Sequence, residues 1–591
     1  MRRLLYITAA LVFLTGASAF GATNFWWVPA NASGNRLFST GANWTNELAD
    51  GTAPTSSANT VLYFIRSQAS PGIITNDIVG LTIKGMEFGN GTYQLKGESI
   101  TLTNSPYIDN LNGTTRNIYL PLVLAEDTTF GGSALSGAFN VTNSVSGLGG
   151  IIKTNLSSLN LTGPDNSFTG HVVLKAGTIS GTSVGRHAFG YGPLVISNGT
   201  VGISGNNIQY LSNSVYNLNG NFNYISSGGN TLIFDAPGTN ILGTNITITS
   251  VVGGSSLALH LRTRIIDNGA GYGIVFAGFG SATYGAVLGN ASTATDATNS
   301  TFSGAITISN CYLYAESIAS IGAASSAVGA PSNAVTGQID MYGTAIFSRR
   351  GSQGTNITDR IFNIAGSGSH TVTVETVNNG SYTFNTVPIK ATGTGPATLN
   401  LNSGISSTGD GAILSVVSIP DMSDGSSVTV VAQTGSQASG GSKVYIGGTN
   451  AFTGTLTTKQ INNHPAGTVY IDGLLATRYV NVGTGGGGAS ILSITNNVLN
   501  PRTVLTIATG ASWTNRVNLR YTGTNVIARL IFGSTVQSNG LWGAIGTTAT
   551  FTSTNFTGAG ILNVNLVESE GAIGVHDSLK VFNSMFVPHG E

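Results

Sequence analysis

Gly181-Thr182-Ser183-Val184-Gly185 has the Gly-x-Ser-x-Gly spacing of a nucleophile elbow, and His187 follows two residues later. In that chemistry a serine sits on a sharp strand-to-helix turn, and a histidine oriented by an acid takes its proton. The next residues, Gly190-Tyr191-Gly192-Pro193, are turn-forming rather than helical. A chain rich in Gly and Ser produces this spacing by chance, so a plain turn is the stronger reading. Gly483-Thr484-Gly485-Gly486-Gly487-Gly488 spells the glycines of a dinucleotide loop, which needs a helix N-terminus facing the phosphate. Ile491-Leu492-Ser493-Ile494 reads as a strand instead, which makes the glycines a loop between strands.

Glycoside hydrolysis needs two neighbouring carboxylates, and a polysaccharide lyase needs a Ca²⁺ cluster of acids with a base. No Asp-Asp pair and no Gly-His-Gly occurs. The nearest candidates are Asp421 and Asp424, in Asp421-Met422-Ser423-Asp424-Gly425, and the adjacent Glu126 and Asp127. Both read as solvated turns, although acids distant in sequence can meet on neighbouring coils. The seven histidines are scattered; His370 and His464 lie in polar stretches with no partner at metal-ligand spacing and read as solvated turn residues. Trp26, Trp27 and Trp44 could stack on sugar rings, but covering an open end of a β array is the stronger reading. No residue is assigned a catalytic, cofactor-binding or metal-ligating role. No cofactor and no enzyme activity are expected.

The elements carrying these residues are β-strands. Leu81-Thr82-Ile83, Tyr93-Gln94-Leu95 and Ile100-Thr101-Leu102 follow one another at close intervals, separated by Gly, Asn, Ser and Thr. A phrase of aromatic, hydroxyl residue and glycine recurs as Phe168-Thr169-Gly170, Phe302-Ser303-Gly304, Phe452-Thr453-Gly454 and Phe556-Thr557-Gly558. Its uneven spacing makes it punctuation, a turn into a strand where Phe is buried and Gly frees the backbone. Charged residues are 8% of the chain, against roughly 25% in an ordinary globular protein. Hydrophobic residues reach 41% and Gly 82 residues, which excludes helical bundles and disorder alike. The expectation is an all-β chain, a long right-handed parallel β-helix with terminal caps. Neutral side chains suit coils stacked directly over one another, where like charges would repel. A row of β-sandwich domains is the alternative, disfavoured because no linker or composition change divides the chain.

Arg2 and Arg3, the apolar stretch Leu4 to Leu14 and Ala17-Ser18-Ala19 have the layout of a signal peptide over 1–19, with cleavage expected before Phe20. No later stretch is apolar for long enough to span a bilayer as a helix. The single cysteine, Cys311, means that stability must come from burial and backbone pairing. A net charge of zero, without a basic run, points to no nucleic-acid partner.

The array resembles a bacterial family, the autotransporter-associated β-strand repeat proteins. Asn166-Ser167-Phe168-Thr169-Gly170 with Ala176-Gly177-Thr178-Ile179 is similar to one full repeat. Trp26-Trp27 with Ala42-Asn43-Trp44 resembles the family's opening segment, and Leu120-Pro121-Leu122-Val123-Leu124 the strand ahead of its first repeat. Gly543-Ala544-Ile545-Gly546 through Phe556-Thr557-Gly558 and Gly560-Ile561-Leu562 resembles the closing coil. The resemblance implies a cap over 20–50, a solenoid over 51–566 with repeats near 155–180, 297–315 and 448–475, and a closing coil over 530–566. It also implies an exported, extracellular or surface-exposed adhesin-like scaffold, with extracellular polysaccharide or envelope components as partners. No outer-membrane barrel like that of autotransporters proper is expected from the residues after the closing coil; the tail over 567–591 is expected to be a docked cap, with Asp577 opening a short helix that carries Leu579, Phe582 and Phe586, or a frayed end. The alternative function is a carbohydrate-binding or polysaccharide-degrading β-helix.

Overall fold

The computed structural model describes residues 23–28, 36–65, 72–133, 137–164, 166–182, 187–204, 209–226, 231–235, 237–250, 259–278, 285–289, 300–350, 354–377, 382–404, 412–435, 441–460, 467–483, 488–510 and 514–565. The expected signal peptide and C-terminal tail lie outside them. Two compact units are present: residues 1–290 with 298–304, and residues 291–297 with 305–591. Each is a β-solenoid of stacked parallel strands, and among the described residues the only helical element is a 3-10 turn at Gly41–Asn43.

In the first unit the register Val172, Leu194, Tyr216, Asn240, Ile265 climbs one sheet, so a coil takes 22 to 25 residues. A second sheet rises beside it through Ser158–Leu161, Thr178–Thr182, Gly199–Ser204 and Phe222–Ser226. From Gln209–Leu211 onward a third joins them, through Leu232–Phe234 and Leu259–Leu261. Alternation sets which side chains enter the coil. In Ile246–Ser250 the branched Ile246 and Ile248 are buried while Thr247 and Thr249 are half-exposed. Each inward residue lies over its equivalent in the next coil, as Phe64 does over Phe88 with ring centroids 5.1 Å apart.

The second unit repeats the scheme. Leu456, Val480, Leu505 and Leu530 form one inward row, and Val444, Val469, Leu492 and Val517 the facing one. All eight are fully buried.

Parallel stacking leaves an open strand edge at each end of a sheet, and antiparallel strands are added near the two termini of the described chain. Trp44–Asn46 pairs antiparallel with Asn24–Trp27 at the edge of the first sheet. Trp27 and Trp44 are buried and meet edge to face at 5.1 Å, with Phe38 against both, so the tryptophans do cap the array. In the second unit Thr535–Val536 turns back on Arg529–Phe532, and Gly540–Gly543 runs antiparallel to Ile561–Val564.

Candidate functional site

The recurrent phrase is a contact between coils. Phe168, Phe302 and Phe452 are fully buried and Phe556 nearly so. Two residues ahead of three of them stands a buried polar side chain that bridges coils. Asn166 accepts from the Val145 N–H at 2.9 Å and donates to the Ala188 carbonyl at 2.8 Å, Ser300 accepts from the Ile265 N–H at 3.0 Å, and Asn450 accepts from the Ile419 N–H at 3.0 Å. The glycine plays a different part from the one expected. Only Gly558 has a left-handed backbone, φ 87°. At Gly170, Gly304 and Gly454 a Cβ would come within 2.3 Å of the backbone of the preceding coil, so the glycine permits close approach rather than an unusual φ.

The acids do lie in solvated turns and bends, with Asp424 and Glu126 exposed, and they serve the same contacts as well. Asp421 Oδ1 accepts from the Val428 N–H and from the Thr453 N–H, both at 2.9 Å, and thereby seats the third phrase of the chain on the coil before it. Asp424 accepts from the N–H groups of Gly395 and Ser426, and these donors hold its carboxyl below the usual range. Glu126 accepts from the Thr103 hydroxyl and from the N–H groups of Asn104 and Ser105, at 3.0 to 3.1 Å. Asn104 and Ser105 are both left-handed, φ 62° and 56°, so their amides converge on this one anion and keep it ionised. Asp127 accepts from the Gly150 N–H at 2.8 Å and faces His171 Nε2 at 3.2 Å. Both carboxylates line an open groove of about 550 Å³ with Ser105, Leu148 and Ile152.

Asp267, which the sequence did not single out, is engaged by five donors. It accepts from the N–H groups of Gly269, Gly271, Tyr272 and Ser303 and from the Ser303 hydroxyl. Burial pushes its carboxyl up, but these donors outweigh burial and hold it low. The pairing of an Asp with the hydroxyl residue of the phrase is thus shared by Ser303 and Thr453 and is invisible in sequence, because 32 or more residues separate the partners.

The hydrolase spacing is placed in part. Thr178–Thr182 is a strand, with Gly181 paired to Ile203; Ser183 to Arg186 lie outside the described residues. His187 stacks on the Tyr191 ring at 3.9 Å. Ile491–Ile494 is a strand as expected, while residues 484–487 lie outside the described set, as does His464. His370 is buried on a strand rather than solvated. Its Nδ1 accepts from the Gly343 N–H and its Nε2 points at the Thr394 carbonyl, both at 3.3 Å, which places the proton on Nε2. Among the described residues no three His, Cys, Asp or Glu side chains gather in metal-binding geometry.

One surface row departs from the clamping pattern. Trp26, Tyr63, Glu87 and Asp109 are half-exposed and follow one another in register on four strands of the first unit. Trp26 and Tyr63 stack at 5.0 Å and 15°, each covering the other's face. The Tyr107 hydroxyl donates to Glu87 at 3.0 Å, and burial together with the Glu87 charge pushes the Asp109 carboxyl up. No helix in the described residues is long and apolar enough to cross a membrane. The chain matches no family model, no curated protein and no solved structure.

Proposed function

We propose that this chain is an exported, non-catalytic β-solenoid that acts as a structural or adhesive element at a bacterial cell surface. The observation that carries the reading is the use made of the carboxylates: Asp267, Asp421, Asp424 and Glu126 all accept backbone N–H donors that join one turn of chain to another. Asp267, Asp424 and Glu126 are held ionised by these amides and are weak proton donors, so they suit a scaffold better than general acid catalysis. The signal-like N-terminus and the resemblance to autotransporter-associated repeats supply the surface location. Cell fractionation should find the mature chain outside the inner membrane, and a reducing-sugar assay on acidic polysaccharides should find no turnover. Turnover that disappears on mutating an acid of the solenoid sinks the scaffold reading.

A carbohydrate-binding or carbohydrate-degrading reading is favoured by the Glu87 and Asp109 row, where two acids lie directly opposite each other beside Tyr107. Like charges in that position oppose folding, so a scaffold alone does not account for them. A glycan array comparing the natural chain with Glu87→Gln and Asp109→Asn variants separates the readings, since only a sugar site loses signal.

A further inference from the structure

Lys153 ends the strand Ile151–Lys153 and points inward, in register between Phe130 and Leu174. It is fully buried, and among the described residues its amine meets no carboxylate. Instead Nζ touches the Asn155 main-chain carbonyl and the Asn155 side-chain Oδ1. That same Oδ1 accepts from the hydroxyl of buried Ser157 at 2.7 Å, while Asn155 Nδ2 donates to the Gly131 carbonyl of the preceding coil at 2.8 Å. A buried amine and a buried hydroxyl thus converge on one carboxamide, that of the half-exposed Asn155.

We propose that Lys153 and Asn155 condense into an intramolecular isopeptide bond. Nζ of the neutral amine attacks Cγ of Asn155; the Nζ–Cγ bond forms, the Cγ–Nδ2 bond breaks, and one proton passes from Nζ to Nδ2, which leaves as ammonia. No oxidant and no second reactant is consumed. The Ser157 hydroxyl, donating to Oδ1, stabilises the negative charge that develops there as Cγ becomes tetrahedral. Burial pushes the Lys153 amine down to about 8, so a sizeable share is neutral and nucleophilic in mildly alkaline solution. The ring closed spans only Lys153 to Asn155, so it removes little chain entropy. Its effect is to replace a buried titratable amine with a neutral amide at a coil corner.

The test is peptide mapping of the purified natural chain by mass spectrometry after incubation at pH 8 to 9. The expected result is a tryptic peptide uncut after Lys153, lighter by one ammonia than its sequence mass, with fragments linking Lys153 to Asn155. The Lys153→Arg and Asn155→Ala chains should show full mass, and Ser157→Ala should slow the loss while leaving secondary structure unchanged. A natural chain that is cut after Lys153 at full mass overturns the proposal. That measurement needs no variant to fold, and it is independent of whether the protein is a surface scaffold.

Discussion

Glu375 shows how a single side chain can oppose the fold that holds it. It is almost fully buried in the second unit, takes a hydrogen bond from the Tyr312 hydroxyl and lies 3.4 Å from Asn402 Nδ2. Burial pushes its carboxyl up to about 7, from 4.5 in an unfolded chain. Between those values the folded chain binds the extra proton, so stability is full below 4.5 and falls as pH rises through 7. Denaturant unfolding from pH 4 to 8 should show that decline, on the order of a few kcal/mol. Glu375→Gln should remove most of the slope; an unchanged slope refutes the assignment. Nothing in the local text of Glu375 marks it, because its burial arises from strands more than 20 residues away on either side.

At the scale of the coil, two predictions separate close approach from backbone freedom. Gly454→Ala forces a Cβ to within 2.3 Å of the Val428 carbonyl oxygen, a backbone atom that cannot turn aside, and should cost about 1–3 kcal/mol. Gly510 has open space and no left-handed φ, so Gly510→Ala should be neutral or stabilise by about 0.5 kcal/mol. Equal effects at the two sites would refute the stacking role. Asp421→Ala leaves the Val428 and Thr453 amides without their acceptor, and should cost about 1–3 kcal/mol and speed hydrogen exchange at Thr453. Exchange at Thr453 equal to the natural chain would exclude the clamp. The phrase itself was legible as a turn into a strand with a buried Phe. The reason for its glycine was not, since the clash is with a coil whose register sequence does not display.

At the scale of the whole molecule, the ends are where a stack of parallel strands is exposed to its own kind. Trp44→Ala should remove the centre of the aromatic cluster formed with Trp27, Phe38 and Phe64, costing about 3–5 kcal/mol. It should also promote end-to-end aggregation, read by light scattering, through loss of the Trp44–Asn46 edge strand. A variant that stays monomeric and stable argues against the capping role. By itself the sequence determined what depends on neighbours along the chain: strands, turns, the all-β class, stacked coils and tryptophans suited to an end. Composition and period-two alternation carry that information because they act within a few residues. Only the tertiary structure decided which acids face which amides, why three glycines are needed, and that Lys153 meets Asn155 beneath the coils on either side. Those outcomes depend on the vertical register between coils of about 22 to 25 residues, and register is set by packing of whole turns rather than by any local motif.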